Sequence, residues 1–208
     1  MWTGNCLDIY LIRHGVTKSN LEKRYLGHTN EPLINHHEEQ FTVLKSGLKR
    51  IKFHYCFSSD LKRCVQTTKL LIKNAPVCLD TRLRELNFGE WEGKTYNLLK
   101  NDAEYRAWLD DMHNLSPPNG EKLTQLQARI DDFFNDLLSL NYQESKNILI
   151  VTHGGTIRSC LLKFKITNNL WELPVNHGNG YKVTLIQSKG EWICSSWSVV
   201  PIQEKEKS

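Results

Sequence analysis

Hydrophobic residues along the chain form two kinds of pattern. Short apolar runs bounded by turn-forming residues predict strands, and the run at 147–152 has an unbroken apolar centre, as expected of a strand covered on both faces. Apolar residues three and four positions apart predict helices, most clearly in the stripe at 124–140. The predicted strands span 8–12, 55–58, 77–79, 147–152, 181–187 and 191–198, and the predicted helices span 41–52, 61–73, 104–112, 124–140 and 156–164.

The order of these elements predicts the fold class. Strands alternate with helices, which favours an α/β domain with a mostly parallel sheet. The last two strands flank a turn at 188–190 and predict an antiparallel hairpin. Ser59 and Asp60 stand just before the helix at 61–73 and are residue types that cap helices. We expect a single domain over 1–208, because the sequence contains no internal repeat and no linker.

Composition narrows the class of protein. Hydrophobic residues make up 39% and charged residues 24% of the 208 residues, a balance typical of soluble globular proteins. The net charge of +4 is dispersed among acidic residues, so we expect no nucleic-acid partner. We also expect neither a signal peptide nor a membrane span, since no apolar stretch approaches roughly 18 residues. Six cysteines without CxxC spacing predict reduced thiols in a cytoplasmic protein.

Polar residues follow three of the predicted strands at the point where each strand ends. They form the segments Arg13-His14-Gly15, 58–60 and His153-Gly154-Gly155. In open α/β sheets, ligands bind outside the carboxyl ends of the strands. The second and third segments also lead into helices, whose first backbone N–H groups attract anions. The sequence therefore predicts an anion site with two histidines and one or two arginines.

Five segments in order along the chain resemble one known family. The stretch at 11–20, LIRHGVTKSN, is similar to the RHGxTxxN motif of the histidine phosphatase superfamily, the phosphoglycerate mutase-like proteins. This resemblance implies a three-layer sandwich in which helices flank the mostly parallel central sheet. The sequence departs from the family pattern at 34–40, which affects the start of the first long helix. The other matching segments are 27–33, 58–63, 83–93 and 151–155.

The resemblance also implies a role for each matching residue. His14 would attack phosphorus and become phosphohistidine, while Arg13 and Arg63 would bind the phosphate oxygens. His153 would donate a hydrogen bond to the phosphoryl group, and Glu85 would protonate the leaving oxygen and then activate water. No metal and no cofactor are implied. The residues predicted to contact the substrate are Thr17, Asn20, Gly27 and Gly154.

Each assignment has a structural alternative. A histidine at a strand end can simply hold the backbone, and Arg63 could start a helix and pair with Asp60. Glu85 competes with Glu90 and Glu92 for the acid role, and the matching register favours Glu85. The roles of His28 and His177 stay open.

Two further segments resemble the alpha-ribazole phosphatase branch of the superfamily, which acts in cobalamin assembly. They are 105–110 and 117–121, within a predicted substrate cap at 94–123. Tyr105 and Trp108 are candidates to stack on a flat dimethylbenzimidazole base. The mutases carry a longer insertion after the acid residue, so hydrolysis of a small phosphate monoester is favoured, with alpha-ribazole 5′-phosphate as the predicted substrate. A broad-specificity phosphatase, a mutase-type phosphotransferase and a non-catalytic binding protein are the alternatives, and a homodimer is left open.

Overall fold

A computed structural model describes residues 6–34, 38–72 and 75–201. Six strands lie in this part of the chain: β1 (Cys6–Arg13), β2 (Tyr55–Ser58), β3 (Cys78–Leu79), β4 (Lys146–Thr152), β5 (Gly180–Ser188) and β6 (Glu191–Val200). The α-helices are α1 (Lys18–Leu21), α2 (Thr42–Leu48), α3 (Lys62–Leu71), α4 (Tyr96–Leu99), α5 (Ala103–Asp110), α6 (Leu123–Ser139) and α7 (Gly154–Lys163). Short 3₁₀ turns span Glu38–Phe41, Thr81–Leu83 and Gly89–Trp91.

The strands form one sheet in the order β3-β2-β4-β1-β5-β6. β1 and β2 both pair with β4 in parallel, and β3 pairs with β2 in parallel. β5 runs antiparallel to β1 and forms the predicted hairpin with β6. The α/β class and the mostly parallel sheet are therefore confirmed. The carboxyl ends of β2, β4 and β1 lie side by side at one edge, where the polar segments follow.

Helices cover both faces of the sheet because alternate side chains of each strand point to opposite faces. On β1, Leu7, Ile9 and Leu11 belong to a large core that includes α6 and α7. Tyr10 and Ile12 belong to a smaller core with α2 and α3. Full burial of each such aliphatic side chain stabilises the fold by about 1.5–3 kcal/mol.

The predicted cap of the second long helix is wrong. The helix α3 begins at Lys62, and Leu61 holds the N-cap position without a side-chain hydrogen bond. Asp60 instead accepts a hydrogen bond from Arg84 Nε at 2.7 Å and forms an ion pair with that guanidinium. A charged partner binds a carboxylate more strongly than a backbone N–H does. The alternative in which Arg63 pairs with Asp60 is also wrong, because the Arg63 guanidinium donates to Thr29, Gly27 and His153 instead. The predicted end of this helix at 73 lies outside the described residues.

The segment 94–123 packs against the large core. Asp102 caps α5 by accepting hydrogen bonds from the backbone N–H groups of Glu104 (2.9 Å) and Tyr105 (3.1 Å), so this helix begins one residue earlier than predicted. The rings of Tyr105 and Trp108 are buried beside Trp91. In the described ranges, no helix combines the length and the apolar character needed to cross a membrane.

Candidate active site

His14 lies at the carboxyl end of β1 with only 3% of its surface exposed. Its Nδ1 atom lies 2.6 Å from the carbonyl oxygen of Gly15. A carbonyl only accepts, so Nδ1 carries the hydrogen and donates it. The lone pair of the neutral ring is therefore on Nε2, which is the atom available to attack an electrophile.

The surroundings of His14 keep the ring neutral. Burial, followed by the charges of Arg63 and Arg13, holds the pKa of His14 well below its usual value of 6.5. Removal from water penalises the charged ring, and nearby cations add to that penalty. At neutral pH the ring therefore keeps its lone pair, as a nitrogen nucleophile requires.

Arg13 precedes His14 and brings a cation to the same strand end. Its Nη1 donates to the carbonyl of Val175 at 2.6 Å, and burial lowers its pKa to about 10. The group remains charged at neutral pH. A Cβ atom added to Gly154 would lie 3.4 Å from the guanidinium carbon of Arg13. Glycine at this position thus leaves room beside the cation.

Arg63 is the second residue of α3 and is fully buried. Its Nη1 donates to the carbonyl of Thr29 at 2.8 Å, its Nη2 donates to that of Gly27 at 2.6 Å, and its Nε donates to His153. A guanidinium has five N–H groups, so one on each Nη remains for an anion. The backbone approaches closely at Gly27, where a Cβ would lie 2.3 Å from the carbonyl oxygen of Leu86.

His153 follows β4 and stands between Arg63 and His14. Its Nδ1 accepts from Arg63 Nε at 3.2 Å. The ring hydrogen is therefore on Nε2, which lies 2.9 Å from the hydroxyl of Ser59. The ring centroids of His153 and His14 are 5.0 Å apart. His153 is neutral and carries a donor hydrogen, and Ser59, predicted as a helix cap, is its partner.

Glu85 meets the first turn of α7. Its Oε2 accepts from the backbone N–H of Gly155 at 2.9 Å, and its Oε1 accepts from that of Leu86 at 2.9 Å. A Cβ on Gly155 would lie 2.3 Å from Oε1, so only glycine permits this contact. Of the rival carboxylates, Glu92 binds the N–H groups of His28 and Thr29, each at 2.6 Å.

The third carboxylate considered for the acid role lies on the surface. Glu90 accepts a hydrogen bond from Asn119 Nδ2 at 2.7 Å. Of the three candidates, Glu85 alone lines the cavity described below.

Thr17 and Asn20 contact each other around the start of α1. The Thr17 hydroxyl oxygen accepts from the backbone N–H of Asn20 at 3.3 Å, and Asn20 Oδ1 accepts from the Thr17 N–H at 3.1 Å. These bonds form a capping box. Their predicted contact with substrate stays a prediction.

His177 and His28, whose roles the sequence leaves open, both contact backbone of the site. His177 Nδ1 donates to the carbonyl of His14 at 3.0 Å, and burial lowers its pKa to about 4. His28 Nε2 donates to the carbonyl of Glu85 at 3.0 Å. Each histidine therefore orients the backbone of a candidate catalytic residue.

A cavity of about 230 Å³ opens beside these groups. Arg13 and Glu85 lie at its polar end, and Arg158 of α7 lies along its wall. Trp171 stands at the margin, 66% exposed, with the Arg158 guanidinium carbon 5.0 Å from its ring centroid. The apolar part of the wall is formed by Tyr25, Leu86, Phe88, Trp108, Leu109, Met112, Leu123, Leu126 and Leu170. Arg13 and Glu85 thus connect the anion-binding cluster to a mostly apolar chamber that has aromatic side chains in its wall.

Tyr105 and Trp108, which the sequence suggested for stacking on a flat base, both lie in the core. Tyr105 is fully buried and its hydroxyl lies 2.5 Å from that of Tyr25, so the prediction that it stacks on a ligand is wrong. Trp108 lines the cavity but is only 3% exposed. Trp171, which the sequence did not single out, has the exposed ring. The sequence alone does not show which of these aromatic side chains packs in the core and which is exposed at the cavity.

Three histidines of the site make the stability of the fold depend on pH: His14 and His153 are buried, and His177 is half-buried. Burial holds the pKa of His14 and His153 well below 6.5 and that of His177 near 4. In the unfolded chain these pKa values return to normal, so below about pH 6.5 the unfolded state binds more protons. The free energy of unfolding is expected to fall as the pH decreases below 6.5, by at most about 1.4 kcal/mol per pH unit for each histidine, and the contribution of His177 ends near pH 4.

Urea unfolding of the wild-type chain and of His177→Gln, followed from neutral to acid pH, checks this expectation. Glutamine can still donate to the His14 carbonyl but does not titrate. The free energy of unfolding of the variant should therefore fall less steeply with acidification, because one titrating histidine no longer contributes to the slope. Identical slopes for the two proteins would contradict the pKa of His177.

Comparison with known proteins assigns the chain to a family and a fold. The family model described as histidine phosphatase superfamily (branch 1) matches residues 9–199. An adenosylcobalamin/alpha-ribazole phosphatase of Escherichia coli K12 is 31% identical over 178 residues, covering 83% of this chain and 87% of the relative.

In the described ranges, no group of three or more His, Cys, Asp or Glu residues could hold a metal ion.

Solved structures agree with the predicted phosphoglycerate mutase-like fold. The alpha-ribazole phosphatase of Shigella flexneri superposes with a TM-score of 0.76 at 29% identity, over 90% of this chain and 94% of that one. A phosphoglycerate mutase of Bacillus anthracis gives a TM-score of 0.76 at 23% identity, over 93% of each chain. The second likeness concerns the fold alone.

Proposed function

The chain belongs to the histidine phosphatase superfamily, and from that premise we propose that it hydrolyses a small phosphate monoester through a phosphohistidine at His14. One observation carries the proposal. His14 is buried, neutral, and presents Nε2 as a free lone pair while Nδ1 is held by the Gly15 carbonyl. Arg13 and Arg63 supply fixed positive charge around it. This combination favours attack on an anionic phosphoryl group over a purely structural role.

The proposed reaction has two steps. In the first, His14 Nε2 forms a bond to phosphorus as the ester P–O bond breaks, and Glu85 gives its proton to the departing oxygen. In the second, a water attacks phosphorus, Glu85 takes a proton from it, and the N–P bond breaks to release phosphate. Arg13 and Arg63 stabilise the charge on the phosphoryl oxygens throughout, and His153 joins them when a phosphoryl oxygen replaces Ser59 as the acceptor of its Nε2 hydrogen.

The cavity favours a substrate with a flat apolar part. The alpha-ribazole 5′-phosphate of the related enzymes' name carries such a group, and we propose it as the substrate, with a role in cobalamin assembly. Residues 94–123 act as the substrate cap, since Trp108, Leu109 and Met112 from this segment line the chamber. Its aromatic wall would bind the base while the phosphate lies against Arg13 and His14.

The substrate assignment is tested by comparing kcat/KM for alpha-ribazole 5′-phosphate with that for 3-phosphoglycerate and simple sugar phosphates. We expect a preference well above tenfold, which corresponds to about 1.4 kcal/mol of differential transition-state binding. Equal values would remove the cobalamin role and leave a broad-specificity phosphatase. Turnover of none of these esters, nor of p-nitrophenyl phosphate, would instead support a binding protein.

Trp171 is expected to contribute to that preference. Its exposed ring at the cavity margin can stack on the base for about 0.5–1.5 kcal/mol beyond area burial. Trp171→Ala should lower kcat/KM for alpha-ribazole 5′-phosphate by about threefold to tenfold and leave sugar phosphates unchanged. Trp197→Ala is the matched control, because Trp197 is also partly exposed but lies on β6. Equal effects of the two substitutions would exclude stacking at Trp171.

A mutase-type phosphotransferase is the second candidate, and one observation favours it. Arg158 Nε is buried and has no hydrogen-bond partner within the described part of the chain, although the guanidinium lines the cavity. A cation placed there could bind the carboxylate of a phosphoglycerate. The 3-phosphoglycerate arm of the comparison above distinguishes this candidate.

We also propose that the protein works in the cytoplasm. All six cysteines are free thiols, which is typical of a reducing compartment. A small phosphate monoester is its proposed partner.

A further inference from the structure

Arg129 of α6 directs its guanidinium at the backbone that carries Glu85. Its Nη1 lies 2.6 Å from the carbonyl oxygens of Arg82 and Arg84, and its Nη2 donates to that of Glu85 at 2.8 Å. Three carbonyls within four residues are thus bound by one side chain. Ordering the Arg129 side chain in this position costs conformational entropy. The planar guanidinium is needed to reach all three carbonyl oxygens at once.

Glu121 holds the other side of the same guanidinium. Its Oε1 accepts from Arg129 Nε at 2.7 Å and its Oε2 accepts from Nη2 at 2.9 Å. The two side chains are 17% and 13% exposed, so the pair is largely withdrawn from water. Glu121 also exchanges hydrogen bonds with the backbone of Asn87, two residues beyond Glu85. The ion pair therefore ties α6 to both sides of Glu85.

Glu85 itself is then fixed at both ends. Its carbonyl receives Arg129 and also His28 Nε2. Its carboxylate receives the N–H groups of Leu86 and Gly155. Arg129 is absent from the residues that line the cavity, so it acts through the backbone of Glu85 and does not contact a ligand there.

We propose that Arg129 and Glu121 form a positioning pair that sets the carboxyl group of Glu85 for proton transfer to the leaving oxygen. The inference rests on the proposed function, because it assumes that Glu85 is the acid. Proton transfer requires heavy atoms about 2.6–3.2 Å apart. A displacement of about 1 Å can cost about a hundredfold in rate. By holding Glu85 in place, Arg129 and Glu121 would keep its carboxyl group within that distance of the leaving oxygen.

Arg129→Lys tests the proposal, because lysine keeps the charge but cannot reach three carbonyls and Glu121 together. The readout is kcat/KM, which reports the step in which the ester bond breaks, for an alkyl phosphate and for p-nitrophenyl phosphate. We expect a loss of about tenfold or more for the alkyl ester and less than about threefold for the aryl ester, whose phenolate leaves without protonation. Inhibition by vanadate should not change, since Arg13, Arg63 and His14 are held separately.

Arg82→Lys is the matched control. Arg82 lies in the same backbone segment, but its side chain binds the carboxylates of Asp80 and Asp136. This variant should leave the alkyl-to-aryl ratio as in the wild-type protein. Glu121→Gln replaces Arg129→Lys if the latter fails to fold by thermal melting, and it should change the ratio in the same direction.

A double-substitution cycle separates positioning from a merely structural role. In a Glu85→Gln background, Arg129→Lys should cause no further loss on the alkyl ester, because the group that it positions is already disabled. Equal losses on both esters, or effects that multiply in the double variant, would overturn the inference while the acid role of Glu85 stands. Equal losses for Glu85→Gln alone would overturn the acid role, and the inference with it.

Discussion

Replacing His14 with alanine is expected to lower kcat by at least about 10²–10⁴-fold on every phosphate ester that the protein turns over. The lone pair on Nε2 forms the bond to phosphorus, because the ring hydrogen of His14 is on Nδ1 and is donated to the Gly15 carbonyl at 2.6 Å. Alanine leaves the two arginines in place, so phosphate should still bind. Loss of turnover with binding retained would separate the nucleophile from the anion site.

The steady-state rate of His14→Ala is the measurement, with His54→Ala as the control. His54 is an exposed histidine that precedes β2, at the end of that strand opposite the site. The control should keep wild-type turnover, and thermal melting should establish that both variants fold. A His14→Ala protein that retains more than about a hundredth of the wild-type rate would contradict covalent catalysis at this residue.

Glu85→Gln is expected to have the second largest effect, and the effect should depend on the leaving group. An alkoxide is too basic to depart without a proton, so an alkyl phosphate should lose about 10²–10⁴-fold in kcat/KM. A nitrophenolate departs unaided, so an aryl phosphate should lose much less. Glutamine preserves the acceptor for the Gly155 N–H, which limits disturbance of α7.

The matched control for this experiment is Glu90→Gln, which tests one of the two rival carboxylates. Glu90 bonds to Asn119 on the surface, and its replacement should leave both esters unaffected. If Glu85→Gln damages the two esters equally, Glu85 does not act as the acid. If Glu90→Gln reproduces the split, the acid has been assigned to the wrong residue.

The sequence predicts the fold and the centre of the candidate site because both follow from local patterns. Apolar runs identify β1 and β4, and parallel pairing aligns Arg13 with Thr152 across them. Any polar residue just past those ends must then lie at one edge of the sheet. His14 and His153 are 139 residues apart in the chain, yet their rings lie 5.0 Å apart.

The sequence fails where a residue's partner is set by tertiary structure. Asp60 is a residue type that caps helices, but its carboxylate binds Arg84, which is 24 residues away in the chain. Tyr105 and Trp108 have aromatic rings in the right segment, but core packing buries them. Arg129 has a long polar side chain on a predicted helix, and its contacts with Glu85 span 44 residues. Residue type alone does not show whether a side chain finds such a tertiary partner or stays exposed to solvent.

Trapping the covalent intermediate tests the central claim most directly. The protein is mixed with a substrate labelled in its phosphoryl group, quenched within a single turnover, and digested for peptide mapping. We expect up to one phosphoryl group per chain, labile in acid, on the peptide that contains His14, and none in His14→Ala. Full turnover without label on His14, or label on His153 or another residue instead, would contradict the account.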